Sequence, residues 1–316
     1  MIQISENKIK QIIINILNKI NNNLLNKSIS DLDIDKLVKN EFKLLNNNMP
    51  IFEGIKYNIH TREVEYSDSE ESVNTSVKDN PTVDTSIIPG IEVWSIFQRK
   101  NTPYIRYTDN KDGNPLLYAF KNEDNWHFKS EKDKKKFITL FEKIAKKFLQ
   151  NYQSDITIVM PSGSILNMFI TNIILRYNKK TNIVTDLLRK LTVDEVWETL
   201  DNFDSPFRKK FGKTQKSWDD TLVDMNLAFE KMRKMRNGKF TYHFLPSNKP
   251  YREYITKSLA CDDYSRGKCA DKLYNHNILL IDDSISRGNS IKEACSILNT
   301  FQPKSITVLT MFSKKK

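Results

Sequence analysis

The chain has 316 residues, of which 28% are charged, and a formal net charge of +11. Its apolar runs are far shorter than a membrane span, and Glu6, Lys8 and Lys10 interrupt the place where a signal peptide would have its apolar core. Three cysteines are too few for a disulfide framework. These features argue against a membrane protein and a disulfide-stapled secreted domain, and they predict a cytoplasmic protein with no membrane partner.

The positive charge would suit a phosphorylated ligand or a nucleic acid as partner. However, Lys greatly outnumbers Arg, and Asn, Ile and Lys are abundant throughout the chain. This composition is typical of an AT-rich genome, so part of the charge reflects codon usage. Nucleic-acid binding is therefore not favoured.

Residues 1–63 are predicted to form an N-terminal helical region. Apolar residues recur at helical spacing between Ile9 and Ile20, and Ser5 can cap that helix. A second helix is expected after Ser30. The region contains no catalytic constellation, so we interpret it as structural, and homo-oligomerisation through it is left open.

Residues 64–88 are polar, with few large apolar side chains, and are predicted to be a linker. The rest of the chain, residues 89–316, is predicted to be one domain. Within it, residues 89–150 are a candidate hood over a bound base. The elements expected there are strands at 91–97, 104–107 and 116–120 and a helix that begins at Ser130.

A first candidate phosphate site follows the aliphatic strand Ile156–Met160. The strand runs into the turn Pro161-Ser162-Gly163-Ser164, after which a helix begins. Backbone N–H groups at such a turn can bind a phosphate. A turn of this composition alone is more often structural, so its interpretation depends on a second loop elsewhere in the chain.

The most informative run is residues 278–290. Four aliphatic residues predict a strand buried on both faces, and Asp282 and Asp283 end it. A small polar loop and an amphipathic helix follow. Backbone N–H groups of this loop can bind a phosphate, and carboxylates at a strand end can bind sugar hydroxyls. The alternative is a plain strand-to-helix turn, but such a turn has no need of paired carboxylates.

This run resembles, position by position, the loop with which type I phosphoribosyltransferases bind phosphoribosyl pyrophosphate (PRPP). The resemblance implies an α/β fold with a doubly wound, mostly parallel sheet, to which this chain adds its helical N-terminal region and a helical insertion. It implies that Asp282 and Asp283 hold the ribose hydroxyls and act on Mg²⁺ indirectly, through ribose and pyrophosphate oxygens. The residues implied to hold the 5-phosphate are Ser284, Ser286, Arg287, Gly288, Asn289 and Ser290, and those implied to hold the pyrophosphate are Ser162, Gly163 and Ser164.

Compact members of that family need fewer residues between the two loops, so residues 181–260 are predicted to be the insertion. Its sharpest feature is the basic stretch 207–216. One interpretation is a mobile lid that brings cations to the pyrophosphate; the other is a solvated basic loop. The lid candidates are Arg208, Lys209, Lys210 and Lys213.

The resemblance implies transfer of the phosphoribosyl group of PRPP to a base or an amine, with Mg²⁺ and release of pyrophosphate. Ser286 stands where members that act on 6-oxopurines carry an Asp proton acceptor, which disfavours a hypoxanthine- or guanine-type activity. The alternative is a non-catalytic regulator or structural component that binds PRPP or a nucleoside monophosphate on the same fold. Either function requires the loops after 156–160 and 278–281 to open at the same edge of the sheet.

Overall fold

The computed structural model describes residues 54–67, 72–100, 113–162, 165–202, 204–235, 237–245, 251–285 and 288–314. All of them belong to one compact unit, Phe52–Lys316. The predicted helices in residues 1–50 and the predicted strand at 104–107 lie outside the described residues. No helix in the described ranges has the length and apolar character that crossing a membrane would require.

The described elements alternate between strands and helices along most of the chain. The strands are β1 (Gly54–Asn58), β2 (Glu63–Ser67), β3 (Val73–Asn74), β4 (Thr82–Ile88), β5 (Ile91–Arg99), β6 (His127–Phe128), β7 (Ile156–Val159), β8 (Asn182–Val184), β9 (Arg189–Lys190), β10 (Leu259–Ala260), β11 (Asn277–Ser284) and β12 (Ser305–Lys314). The α-helices are α1 (Asn114–Lys121), α2 (Glu131–Asn151), α3 (Ile165–Tyr177), α4 (Val193–Asp201), α5 (Pro206–Phe211), α6 (Gln215–Met235), α7 (Tyr251–Tyr254), α8 (Asp263–Leu273) and α9 (Asn289–Asn299), with a 3₁₀ turn at Tyr242–Phe244.

The core is a seven-stranded, mostly parallel sheet. β5, β12, β11, β7 and β8 lie side by side in that order and run parallel. Helices cover both faces, with α1, α2 and α3 packing on one and α8 and α9 on the other. This burial on both sides explains the uninterrupted aliphatic run Ile278–Ile281, whose side chains are all fully buried. The chain therefore has an α/β fold, as predicted.

The direction of the connections changes between β7 and β11. The chain leaves β7 through α3 towards β8, whereas it leaves β11 through α9 towards β12 on the opposite side. Between such diverging connections a crevice opens at the carboxyl ends of the strands, and ligands bind there in open α/β sheets. The loops after 156–160 and 278–281 open at the same edge of the sheet, as the predicted function requires, because β7 and β11 are neighbouring parallel strands.

The prediction of a polar linker at residues 64–88 was wrong. β3 and β4 pair antiparallel with β5 at the outer edge of the central sheet, and β2 pairs with β1 and β6 in a separate three-stranded sheet. β4 lies at a sheet edge, where most of its side chains are half-buried or exposed. A strand in that position needs few large apolar residues, so its composition resembles that of a linker.

Two predictions for residues 89–150 were also wrong. The run 116–120 is helical rather than extended, because Pro115 lies in the first turn of α1 and the apolar side chains then lie on one helix face. A short apolar run does not distinguish these two states by periodicity. The described parts of the segment do not form a hood over a bound base, since β5 belongs to the central sheet and α2 packs on it.

The insertion has its own hydrophobic cluster and is joined to the central domain by the strands β9 and β10, which we call its neck. β9 and β10 pair antiparallel, so the chain enters and leaves the insertion side by side. The insertion begins at β9 rather than at residue 181, because β8 still belongs to the central sheet. Between the neck strands, helices α4 to α7 enclose a cluster that includes Phe207, Trp218 and Phe229. Glu293 of α9 binds the neck by accepting hydrogen bonds from the backbone N–H groups of Ser258 (2.7 Å) and Leu259 (2.9 Å).

Truncating a central residue of β11 should destabilise the chain strongly. Leu280 is fully buried in the layer that α8 and α9 form with the sheet. We expect Leu280→Ala to lower the free energy of unfolding, measured by urea denaturation, by about 2–5 kcal/mol. The control Leu227→Ala removes a side chain that is 71% exposed on α6 and should change that free energy by less than about 0.5 kcal/mol. Equal effects would contradict a central position for β11.

Candidate functional site

The two predicted phosphate loops meet at the carboxyl ends of β7 and β11. The backbone N–H of Met160 donates to the carbonyl of Ile281 (2.9 Å), which extends the pairing of the two strands to the start of the first loop. Ser162 Oγ, in the first loop, then donates to Asp283 Oδ2 across the crevice (3.0 Å). Gly163, Ser164, Ser286 and Arg287 lie outside the described residues. The structure thus brings Ser162 together with the acidic pair.

Asp282 and Asp283 face opposite sides of the sheet, because neighbouring side chains of a strand alternate. Asp283 faces the layer of α1, α2 and α3, where Lys121 reaches it. Asp282 faces the layer of α8 and α9, and the charges of Lys121 and then of Lys190, in β9, act to lower its pKa. The two carboxylates therefore have different surroundings, although sequence reasoning treated them as one pair.

Asp283 accepts hydrogen bonds from three donors and is only 7% exposed. Lys121 Nζ (2.9 Å) and Ser162 Oγ bind Oδ2, and Ser284 Oγ binds Oδ1 (2.9 Å). Burial raises the pKa of Asp283, but the charge and hydrogen bond of Lys121 and the two serine hydroxyls outweigh it and hold that pKa below its ordinary value.

Asp282 is half-buried, and its Oδ1 accepts a hydrogen bond from the backbone N–H of Asp283 (2.9 Å). Burial, followed by the negative charge of Asp283, raises the pKa of Asp282 to about 7. The group therefore exchanges a proton near neutral pH. It can accept a hydrogen bond from a ligand hydroxyl as a carboxylate and donate one as an acid.

The second loop is shaped by Gly288, the N-cap residue of α9. Its φ is +78°, and a Cβ built on it would lie 2.7 Å from Ile87 Cγ2. Glycine satisfies both constraints, the left-handed backbone and the close approach of β4. Ser284, Asn289 and Ser290 are half-buried around it. Because Gly288 has no side chain to cap the helix, backbone N–H groups of the first turn of α9 can serve an anion.

Lys121 and Asn167 are site residues that sequence reasoning missed. Asn167 is 2% exposed, and its Nδ2 donates to the carbonyl of Met160 (3.1 Å), which fixes the end of β7. A polar residue on the buried face of an otherwise apolar helix was a signal that could have revealed it. Lys121 gave no signal of this kind, because no spacing in the sequence relates it to the acidic pair.

The lid candidates lie in and directly after helix α5 of the insertion. Arg208 is near Asp201 (3.8 Å) and lies over the Trp218 ring, and Lys209 pairs with Asp204 (3.3 Å). The loop predicted at 207–216 is thus a helix followed by a short turn and the start of α6. Phe207 and Phe211 anchor this helix on the cluster of the insertion, and an anchored position of this kind was not expected from a run of cations.

The family resemblance implies a Mg²⁺ ion that ribose and pyrophosphate oxygens hold, and Asp283 itself is not placed to be a direct ligand of it. Both oxygens of Asp283 already accept hydrogen bonds, and the Lys121 ammonium lies where a cation would approach Oδ2. Mg²⁺ prefers an octahedral set of oxygen ligands and would be repelled by an ammonium at that distance. Among the described residues, no group of three or more His, Cys, Asp or Glu is arranged to hold a metal.

Models of known protein families give no match to this chain, and a search of curated proteins gives none either. The resemblance to type I phosphoribosyltransferases therefore depends on the sequence of residues 278–290. What the site can bind has to be argued from the chemistry of its own residues.

The free energy of unfolding should depend on pH through the titration of Asp282. Its folded pKa of about 7 lies above its ordinary value of 3.8, so the folded chain holds this proton more tightly than the unfolded chain does. The contribution of Asp282 is therefore fully present below the ordinary pKa and is lost as pH rises through 7. Relative to Asp282→Asn, the parent should lose on the order of a few kcal/mol of unfolding free energy from about pH 4 to 8.

Urea denaturation at several pH values measures this difference. The control Asp271→Asn changes an exposed carboxylate on α8 and should follow the parent across the range. A constant offset between the parent and the Asp282→Asn variant at all pH values would show that Asp282 has an ordinary pKa.

Gly288→Ala should destabilise the chain by about 1–3 kcal/mol, because the new Cβ meets Ile87 in a left-handed backbone conformation. Gly267→Ala is the matched control: its Cβ meets nothing within 4 Å in α8. A helical position favours Ala over Gly, so this control should stabilise by about 0.5–1 kcal/mol. Thermal unfolding shows whether each substitution lowers or raises the stability. A stabilising effect at both positions would contradict the loop geometry.

Proposed function

We propose that this chain is a phosphoribosyltransferase-like protein that binds PRPP in the crevice between β7 and β11. It would transfer the phosphoribosyl group to a base or amine acceptor and release pyrophosphate. The observation that carries the proposal is the hydrogen bond from Ser162 to Asp283. It joins the first loop to the end of β11 at the place in the mostly parallel sheet where the direction of the connections changes.

The two loops suit the two anionic ends of PRPP. The 5-phosphate would bind the backbone N–H groups at the start of α9, where Gly288 allows close approach. The pyrophosphate would bind the first loop, at Ser162. The ribose would lie between them with its hydroxyls at Asp282, the less buried of the two carboxylates.

This arrangement also suits the charge changes of phosphoribosyl transfer. As the bond from the ribose C1 to pyrophosphate breaks, positive charge grows on the sugar and negative charge on the leaving group. The carboxylate of Asp282 beside the ribose would stabilise the positive charge, and donors near Ser162 would stabilise the negative charge. A site of this kind would also lower the barrier by holding PRPP and the base or amine in position to react.

One observation supports the alternative of a non-catalytic binder. Asp283 already accepts from Lys121, Ser162 and Ser284, so a ribose hydroxyl would have to displace one of these donors to reach it. A site that relies on Asp282 and the phosphate loop alone would bind PRPP or a nucleoside monophosphate without turning it over.

At about pH 8, where Asp282 is a carboxylate, Asp282→Asn should weaken PRPP binding about tenfold or more, because it removes a charge-assisted hydrogen bond to the ribose. Isothermal titration calorimetry with PRPP measures this effect. Asp271→Asn is the control and should bind PRPP as the parent does. Calorimetry that detects no binding of PRPP or of any nucleoside monophosphate to the parent would refute the proposal.

Release of pyrophosphate from PRPP across a panel of bases and amines then separates the enzyme from the binder. The enzyme should release pyrophosphate with at least one acceptor, and Asp282→Asn should reduce that rate. PRPP binding without release for any acceptor would favour the binder.

A further inference from the structure

We propose that the ammonium of Lys121 is the resident cation of this site, so that the phosphoribosyl ligand binds without a divalent metal ion. Lys121 would take the place between ribose and pyrophosphate that Mg²⁺ was expected to take. This inference rests on the proposed function and adds to it the source of the positive charge.

The contact of the ammonium with the carboxylate oxygen that also binds the first loop carries the inference. Lys121 Nζ and Ser162 Oγ bind the same oxygen of Asp283, one from α1 and the other from the first loop. A pyrophosphate held at Ser162 would therefore lie beside the ammonium. The Lys121 side chain is 15% exposed, and a cation so enclosed interacts with an anion more strongly than a cation in water does.

The lysine is also held in place by the fold. Helix α1 buries Leu116, Leu117 and Phe120 in the layer that covers the sheet. The Phe120 ring packs on Phe312 of β12, the strand next to β11, with 6.3 Å between the ring centroids. Lys121 therefore projects from a packed helix end, and little further ordering would be needed when a ligand arrives.

An ammonium can bind both Asp283 and a phosphate group of the ligand. It has three N–H donors, so it can stay bound to Asp283 and donate to a phosphate oxygen at the same time. Its single positive charge offsets the negative charge of Asp283. The acidic pair therefore has less negative charge with which to attract a divalent cation. The ammonium thus supplies the charge for the pyrophosphate and opposes metal binding at the same oxygen.

The test is isothermal titration of PRPP, and of inorganic pyrophosphate, in EDTA and in MgCl₂. The parent should bind PRPP in EDTA with an affinity within about threefold of that in MgCl₂. Lys121→Met should lose about tenfold or more of its affinity in EDTA, the effect expected for a charge-assisted hydrogen bond. Added Mg²⁺ should restore binding to this variant, because Asp283 is then available to the metal. The control Lys134→Met changes an exposed lysine of α2 and should behave as the parent.

Lys121→Met leaves Asp283 buried without its counter-ion and is expected to be less stable. The double variant Lys121→Met/Asp283→Asn removes both charges and keeps the test valid if the single variant does not fold. It should bind PRPP weakly in EDTA, and Mg²⁺ should not rescue it, since the carboxylate is gone.

Two results would overturn this role of Lys121 and leave the proposed function standing. One is PRPP binding to the parent that requires Mg²⁺; the other is parental affinity of the lysine variants in EDTA. PRPP binding to none of the proteins in either buffer would instead refute the proposed function, and with it the role of Lys121.

Discussion

Parallel pairing of β11 with β7 on one side and β12 on the other places the two loops and the acidic pair of the candidate site. It directs both loops to one edge of the sheet, and the diverging connections through α3 and α9 open a crevice between them. It also buries the aliphatic run on both faces, so that Asp282 and Asp283 emerge where the apolar environment ends. The perturbed pKa of Asp282 is a direct consequence of that boundary.

Elements from distant parts of the chain then define what the site can do. β4 brings Ile87 against Gly288, α1 brings Lys121 to Asp283, and the neck of the insertion brings Lys190 towards Asp282. Glu293 joins α9, the helix that starts at the phosphate loop, to the same neck. The insertion is therefore connected to the site by hydrogen bonds to its neck strands, whereas its basic helix α5 packs on the insertion's own cluster.

The sequence allowed the parallel core and the position of the two loops to be predicted, because four consecutive aliphatic residues before an acidic pair are a local signal. β4 was mistaken for a linker, since an edge strand can be polar, and α1 for a strand, since a short apolar run suits both states. Lys121 could not be predicted at all. Its role depends on a tertiary contact between residues 162 positions apart, and no local pattern encodes such a contact.

A crystal structure of the chain with PRPP would test the central claim, that the crevice between β7 and β11 is a phosphoribosyl site, most directly. We expect the 5-phosphate at the backbone N–H groups that begin α9, the ribose hydroxyls at Asp282, and the pyrophosphate between Ser162 and Lys121. PRPP bound elsewhere on the chain, with the crevice occupied only by solvent, would contradict the claim.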